Sequence, residues 1–255
     1  MADAWLSAVK ASHRRVADLV APLSDDEVAR PSYADEWTIA DVLSHIGSGA
    51  EIFSAVLAAG VDGREAPGIE EFQPIWAQWN AKSPSDQVHD AIAADAAFIA
   101  AIDALDPEQR ASWRIQMFGS EQDLAGLLRF RLGEHALHTW DVAVMDDPEA
   151  TVAADAVELL VDTLEVMVQH AGKPIDSPVV VLVTTEAPAR QLLLQAGSDG
   201  VTLTQSDEGD TEATVTLPAE AFVRLVYGRL DDEHTPPLDI TGVDLDNLRR
   251  AFPGF

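Results

Sequence analysis

The helical pattern of apolar residues is broken at residues 146–148, and after residue 171 it gives way to strand spacing; this change limits the fold more than any other feature. Up to Met145, apolar residues recur every three or four positions, as they do on helices packed against a core. Further on, short β-branched runs separated by Gly, Pro or Asp indicate a mainly antiparallel sheet: SPVVVLVTTE, ARQLLLQAG, GVTLTQS and ATVTLP. With Asp146, Asp147 and Pro148 as the break, the sequence predicts a helical domain over residues 1–148 and an α+β domain over residues 149–255.

The first domain is predicted to contain four helices of about 20 residues, which together form an up-and-down bundle. The first carries an apolar stripe from Trp5 to Leu23. The second begins after Thr38, which can cap it together with Asp41, and ends near Ala59, before Gly60. The third follows a cap at Ser85 and closes at residues 106–107, and the fourth follows a cap at Ser120 and runs over residues 121–145. Residues 67–84, which contain Trp76 and Trp79, are predicted to be either a lid or a short helix.

The second domain is predicted to begin with a helix over residues 150–171, ahead of the strands. The segments AEAFVRLVYGRL and DLDNLRRAF return to helical spacing after the strands. The expected fold is therefore a helical bundle followed by a small α+β layer.

Charge and cysteine content exclude several classes of function. The chain has 16 Lys and Arg against 44 Asp and Glu, a net charge of -28, which disfavours nucleic acids and anionic membranes as partners. It has no cysteine, so disulfides, cysteine-ligated zinc and a cysteine nucleophile are excluded, and any thiol chemistry needs a thiol from outside. The N-terminal segment lacks the apolar core of a signal peptide. We expect a soluble, cytoplasmic protein.

Three residues stand out as candidate metal ligands: His45 in EWTIADVLSHI, and Glu134 and His138 in RLGEHALHTWDV. Residues four apart share one face of a helix, so Glu134 and His138 can present an oxygen and a nitrogen to one point. His45 would complete a three-ligand set that leaves coordination positions open, as catalytic metal sites do.

Structural alternatives exist for each of these residues. A lone helical histidine is often a surface or satisfied core residue, and Glu134 with His138 can be an i,i+4 pair on a solvated face. The apolar neighbours Leu43, Leu137 and Trp140 favour a buried setting instead, in which unpaired polar groups are costly. On the same helix, His135 is a rival ligand or a supporting group, and Asp141 is better placed to orient an imidazole than to bind metal. Neither a G-x-S-x-G elbow nor a phosphate-binding glycine loop occurs.

The stretches PSYADEWTIADVLSHI and RLGEHALHTWDV resemble the mycothiol-dependent maleylpyruvate isomerase family within the DinB-like metalloenzyme superfamily. The resemblance implies that His45, Glu134 and His138 hold the metal and that Asp141 matches a family aspartate. The segment ATVTLPAEAFVRLVYGRL is similar to the family's sterol-carrier-like C-terminal domain. In that domain Arg229 aligns with an arginine that the family uses near its active site.

The resemblance implies a transferase or isomerase in which Zn²⁺, or another divalent metal, activates the thiol mycothiol for attack on a small electrophile. Arg229 would then pair with a substrate carboxylate. Two other classes stay open, a metal-dependent hydrolase that uses water as the nucleophile and a non-catalytic lipid or small-molecule carrier. The expected assembly is a monomer or homodimer.

Overall fold

The computed structural model of the protein describes residues 2–34, 36–117, 119–206 and 211–254. The chain divides into two compact units, Met1–Ala150 and Thr151–Phe255. Helices dominate unit one, and unit two contains a five-stranded sheet with helices. The predicted fold class, a helical region followed by a small α+β domain, is confirmed.

Unit one is built around long helices. Its helices and short hairpin strands are α1 (Ala2–Val20), α2 (Asp25–Val28), α3 (Ile39–Val61), α4 (Ile69–Asn80), α5 (Pro84–Asp103), α6 (Pro107–Ser112), β1 (Arg114–Met117), β2 (Ser120–Asp123) and α7 (Leu124–Ala143). Of these, α1, α3, α5 and α7 have 19, 23, 20 and 20 residues and correspond to the four predicted helices. In the segment 67–84, predicted to be either a lid or a short helix, residues 69–80 form a helix.

The start of α3 is the one predicted. The Thr38 hydroxyl accepts a hydrogen bond from the Asp41 amide at 3.1 Å, and the Asp41 carboxylate accepts one from the Thr38 amide at 2.9 Å. This reciprocal pair satisfies two amides that would otherwise lack partners at the helix end. It fixes the first turn of α3 and thereby the position of His45, two turns further on.

Two predicted helix starts are wrong. The cap of α5 is Ser83 rather than Ser85, because Pro84 occupies the first helical position, where its missing amide costs nothing. The cap of α7 is Asp123 rather than Ser120, since residues 114–117 and 120–123 pair as an antiparallel hairpin before the helix begins. Gly119 supplies the positive φ of +80° in the turn between these strands.

Glycines on α3 allow two tryptophans to pack directly on the helix backbone. A Cβ at Gly47 would lie 2.2 Å from the ring of Trp79, which is almost fully buried in the core. A Cβ at Gly60 would lie 2.4 Å from the ring of Trp113, whose indole N–H donates to the Leu57 carbonyl at 2.9 Å. The helix thus continues past Gly60 to Val61, and this glycine serves packing rather than helix termination.

A buried polar network joins three helices of unit one. Asp95 on α5 accepts hydrogen bonds from Arg131 of α7 at 2.6 Å, from the His135 Nε2 at 3.0 Å and from the His13 Nδ1 of α1 at 2.8 Å. The His135 Nδ1 lies 2.9 Å from the Ser12 hydroxyl. With Nε2–H donating to Asp95 and Nδ1 accepting from Ser12, the His135 ring is neutral.

The neutral His135 predicts a dependence of stability on pH. Burial lowers the pKa of His135 below its ordinary value, despite the opposing pull of Asp95. Below about pH 6.5 the unfolded chain therefore binds a proton that the folded chain does not, and stability is lost as the pH falls. We expect a loss of up to about 1.4 kcal/mol for each pH unit below 6.5. The free energy of unfolding, measured with urea at pH 7 and at pH 5, should show this decrease in the wild type and a smaller decrease in His135→Gln. An equal decrease in both proteins would contradict the neutral state assigned to His135.

Unit two begins with helices and continues into the sheet. Its elements are α8 (Ala154–Leu160), α9 (Leu164–Ala171), β3 (Val179–Glu186), β4 (Arg190–Gly197), β5 (Gly200–Gln205), β6 (Ala213–Pro218), α10 (Ala219–Val226), β7 (Asp239–Thr241) and α11 (Leu245–Ala251). The strand order is β5-β4-β3-β6-β7, and the β3–β6 pair is parallel while the other pairs are antiparallel. The helix predicted over residues 150–171 is instead two helices joined by a 3-10 turn at Val161–Thr163.

One described helix is long and apolar enough to cross a membrane by length and composition. This is α3, with a mean hydropathy of 1.4 and 61% of its most apolar window buried inside unit one. A core helix of a bundle passes the same test, so the feature is weak support for a membrane span.

Candidate metal centre

The structure brings His45, Glu134 and His138 together on the facing sides of α3 and α7. The His45 Nε2 lies 2.8 Å from the Glu134 Oε2, and the His138 Nε2 lies 3.8 Å from the same oxygen. One ligand atom from each residue falls within 4.8 Å of those of the other two. His45 and Glu134, 89 positions apart in the chain, therefore converge on one point with His138.

Asp141 holds the His138 imidazole in a fixed orientation. The His138 Nδ1–H donates to the buried Asp141 carboxylate at 2.7 Å, which leaves the Nε2 lone pair facing Glu134 and His45. Burial, with a contribution from His45, lowers the pKa of His138 despite the opposing effect of Asp141. The ring is thus neutral at neutral pH, the state in which imidazole binds a metal.

The cluster is open on one side. The side chains of His45 and Glu134 are 36% and 37% exposed, whereas that of His138 is 9% exposed. A structural metal site is closed by protein ligands, whereas a catalytic site keeps a position for water or substrate. The exposure of His45 and Glu134 is typical of the second kind.

Trp37 lies beside both imidazoles of the cluster. Its ring centroid lies 5.3 Å from that of His45 and 5.8 Å from that of His138. Sequence reasoning gave Trp37 no role, although it lies in the quoted EWT segment just before the α3 cap. Its indole restricts the imidazoles and supplies an apolar edge to the cluster.

The donor set fits a divalent transition metal. Two imidazole nitrogens and one carboxylate oxygen form a set that zinc accepts, and three protein ligands leave at least one coordination position for another molecule. His135 is not part of the cluster, because its ring is bound to Asp95 and Ser12. Its role is therefore in the buried network rather than as a rival ligand.

The network beside the cluster was missed from the sequence. Arg131, one turn before Glu134, donates to Asp95 and also to the carbonyl of Ile46 at 3.0 Å. Because Ile46 follows His45 directly, Arg131 links α7 to α3 next to the candidate ligands. An acidic residue within the apolar run AIAADAAFIAAI was the available signal for Asp95.

Arg229, the candidate substrate-binding residue, lies in unit two just after α10. Its Nη1 donates to the Tyr227 carbonyl at 2.8 Å, and its amide donates to the Arg224 carbonyl at 2.7 Å. The neighbouring Arg224 is buried and paired with Glu220 at 2.7 Å. Arg229 itself is half-buried.

Two family models match the chain, one in each unit. The model described as mycothiol maleylpyruvate isomerase N-terminal domain matches residues 9–143. The model described as MDMPI C-terminal domain matches residues 151–249. No curated protein matches the chain significantly.

Solved structures share the fold at low sequence identity. A crystal structure of the mycothiol-dependent maleylpyruvate isomerase matches with a TM-score of 0.67 and 14% identity, over 93% of this chain and 95% of that one. A histidine-to-alanine mutant of that isomerase matches with a TM-score of 0.66 and 14% identity, over 90% of each chain. At this level of identity the likeness concerns the fold.

Proposed function

Because the chain belongs to the mycothiol maleylpyruvate isomerase family, we propose that it is a metal- and thiol-dependent enzyme, an S-transferase or isomerase acting on a small electrophile. The observation that carries the proposal is the open cluster of His45, Glu134 and His138, with ligand atoms within 4.8 Å of one another. A metal site that is open to a second ligand suits an enzyme that must bind a thiol from outside, as a chain without cysteine must do.

In this proposal His45, Glu134 and His138 hold one divalent ion, with zinc as the preferred metal for two imidazoles and a carboxylate. When bound, such an ion lowers the pKa of a coordinated thiol, so that the reactive thiolate exists at neutral pH. Asp141 keeps the His138 Nε2 lone pair directed at the site through the bond to Nδ1–H. Trp37 limits the motion of both imidazoles and shields one side of the cluster from water.

The proposed identities of the two units follow the resemblance seen in the sequence. Residues 1–148 are assigned as a DinB-like bundle and residues 149–255 as a sterol-carrier-like domain. The compact units Met1–Ala150 and Thr151–Phe255 support a boundary close to this position. A cytoplasmic location is part of the same proposal, and the absence of cysteine is compatible with such a reducing compartment.

A thiol requirement tests the proposed function. Metal-loaded protein dialysed free of small molecules should be inactive toward maleylpyruvate, and added mycothiol should restore turnover. The chain supplies no thiol of its own, so the reaction depends on the added one. Turnover of an ester or amide substrate without any thiol would instead support a hydrolase that uses water as the nucleophile. Inactivity under both conditions would favour a carrier.

Arg229→Lys tests the proposed pairing with a substrate carboxylate. A lysine keeps the charge but cannot form the two parallel hydrogen bonds of a guanidinium. We expect kcat/KM for maleylpyruvate to fall by about 30-fold, which corresponds to about 2 kcal/mol. The matched control is Arg250→Lys, a change at an exposed position on α11 of the same unit. An unchanged kcat/KM in Arg229→Lys would remove this residue from the site.

A further inference from the structure

Unit one contains an apolar cavity of about 340 Å³. α3 forms one wall, the segment that leads into α4 another, and β1 a third. The described residues that line it carry no charge, and Gln116 is the one polar side chain among them; the others are Ile52, Phe53, Val56, Ala66, Pro67, Phe72 and Met117. An apolar cavity of this kind suits a hydrocarbon group, because burial of apolar surface is favourable and no charged partner is offered.

The cavity lies on the same face of α3 as the candidate metal ligand His45. His45, Gly49, Ile52 and Val56 follow each other at steps of four, three and four residues, which places them on one stripe of a helix. At 1.5 Å of rise per residue, Ile52 lies roughly 10 Å along the axis from His45. The metal cluster and the cavity are therefore successive features of one helix face.

Gly49 lies on this face between the two features, with the guanidinium of Arg131 against it. It has no side chain, and a Cβ placed there would meet within 4 Å a single atom, the Arg131 Nη1 at 3.1 Å. Gly49 is also half-buried rather than enclosed. A molecule that extends from the cluster along α3 toward Ile52 would pass the half-buried Gly49 beside the Arg131 guanidinium.

The geometry points to the cavity as the binding pocket for the apolar tail of the electrophile, whose reactive carbon lies at the metal cluster. This inference rests on the proposed function and names its substrate class: electrophiles with a hydrocarbon chain or ring several atoms away from the reacting carbon. The thiol cofactor is a poor occupant, since mycothiol carries several hydrophilic sugar groups and Gln116 is the one polar side chain of the described lining.

An α,β-unsaturated ketone illustrates the reaction that such a substrate would undergo. The thiol sulfur forms a bond to the β-carbon, and the carbon–carbon π bond breaks. The thiol loses one proton and the α-carbon gains one, so the protons balance. Nothing is oxidised or reduced, and the adduct contains all atoms of both reactants. The tail of the ketone takes no part in these steps, so its effect on binding can be measured separately.

Binding of unreactive ketones tests the pocket without any turnover. We would titrate a series of straight-chain 2-alkanones, from 2-pentanone to 2-undecanone, into the protein by calorimetry. Each added methylene should tighten binding by about threefold to fourfold until the chain outgrows the cavity. Affinity that does not change with chain length would overturn the inference.

Variants locate the binding. Ala66→Trp fills the cavity from a half-buried position and should abolish the increase in ketone affinity with chain length. Met117→Gln replaces an apolar side chain by a polar one of similar size and should make this increase smaller. Ala58→Trp, an exposed position on α3 away from the lining, is the matched control and should keep the wild-type series. An unchanged series in both lining variants would place the binding elsewhere and contradict the inference.

Turnover of trans-3-alken-2-ones with mycothiol separates this inference from the proposed function. If both hold, kcat/KM rises with chain length as the ketone affinity does. Thiol-dependent turnover that is equally fast for all chain lengths would keep the proposed function and reject the pocket. Ketone affinity that rises with chain length, without thiol-dependent turnover of the alkenones, would support the pocket and reject the proposed function.

Discussion

Replacing Asp95 by asparagine should lower the free energy of unfolding of unit one by about 3–5 kcal/mol, because the change leaves a buried guanidinium without its counter-charge. The side chains of Asp95 and Arg131 are 0% and 1% exposed, and their closest atoms are 2.6 Å apart. Burial alone would raise the pKa of the Asp95 carboxyl, but Arg131 and His135 hold it far below its usual range. The carboxylate is thus charged in the folded protein at any pH at which the protein is used.

The matched control for this change is Asp103→Asn, on the same helix. Asp103 pairs with Lys10 at 2.7 Å, but both side chains are substantially exposed. An exposed pair contributes at most about 1 kcal/mol, so the control should unfold close to the wild type. Urea unfolding followed by circular dichroism would compare the three proteins. Equal midpoints for Asp95→Asn and the wild type would contradict the role given to the network.

The same change should disturb the metal cluster. Arg131 joins Asp95 to the Ile46 carbonyl, which follows His45 in α3. Loss of the carboxylate frees Arg131 and loosens the contact between α3 and α7 on which the convergence of His45 with Glu134 depends. Metal affinity should therefore fall in Asp95→Asn but not in Asp103→Asn.

His138→Ala should abolish high-affinity metal binding. The substitution removes one of three ligands and leaves His45 and Glu134, the more exposed members of the cluster. In the wild type, an ion that binds only the folded chain stabilises it by mass action, so added zinc should raise the melting temperature. In His138→Ala this rise should disappear. A zinc-induced shift as large as that of the wild type would exclude His138 as a ligand.

Two further variants make this test specific. Asp141→Asn keeps all three ligands but weakens the support of His138, and should lower metal affinity by roughly 10- to 100-fold. His89→Ala removes an exposed histidine, on α5, whose ring contacts only Asp90 among the interactions of the described residues. It should bind metal as the wild type does.

The order of the secondary structure could be predicted because local signals determine it. The Thr38–Asp41 cap and the apolar stripes place α1 and α3, and the β-branched runs place β3 to β6. The ends of α5 and α7 were placed wrongly because several adjacent residues can cap a helix. Ser83 rather than Ser85 caps α5 because Pro84 fits the first position of the helix. α7 cannot begin at Ser120 because residues 120–123 pair with residues 114–117 in the hairpin.

The cluster could be proposed from the sequence because one half of it is local. Glu134 and His138 share a helix face by their spacing alone, and His45 was proposed as the third ligand from its setting among apolar residues before the family resemblance implied the same residue. The Asp95–Arg131–His135 network could not be found in this way, since Asp95 lies on α5, Arg131 and His135 lie on α7, and no motif joins the two helices. The cavity likewise depends on how α3 packs against residues 66–72 and β1, which only the folded structure gives.

Metal content of the purified protein tests the central claim most directly. Elemental analysis of protein prepared without chelators should find about one divalent ion per chain, with zinc as the expected metal, in the wild type and in His89→Ala. His138→Ala prepared in parallel should contain almost none. If the wild type contains no stoichiometric metal and added zinc leaves its melting curve unchanged, His45, Glu134 and His138 do not form a metal centre and the proposed enzyme function is wrong.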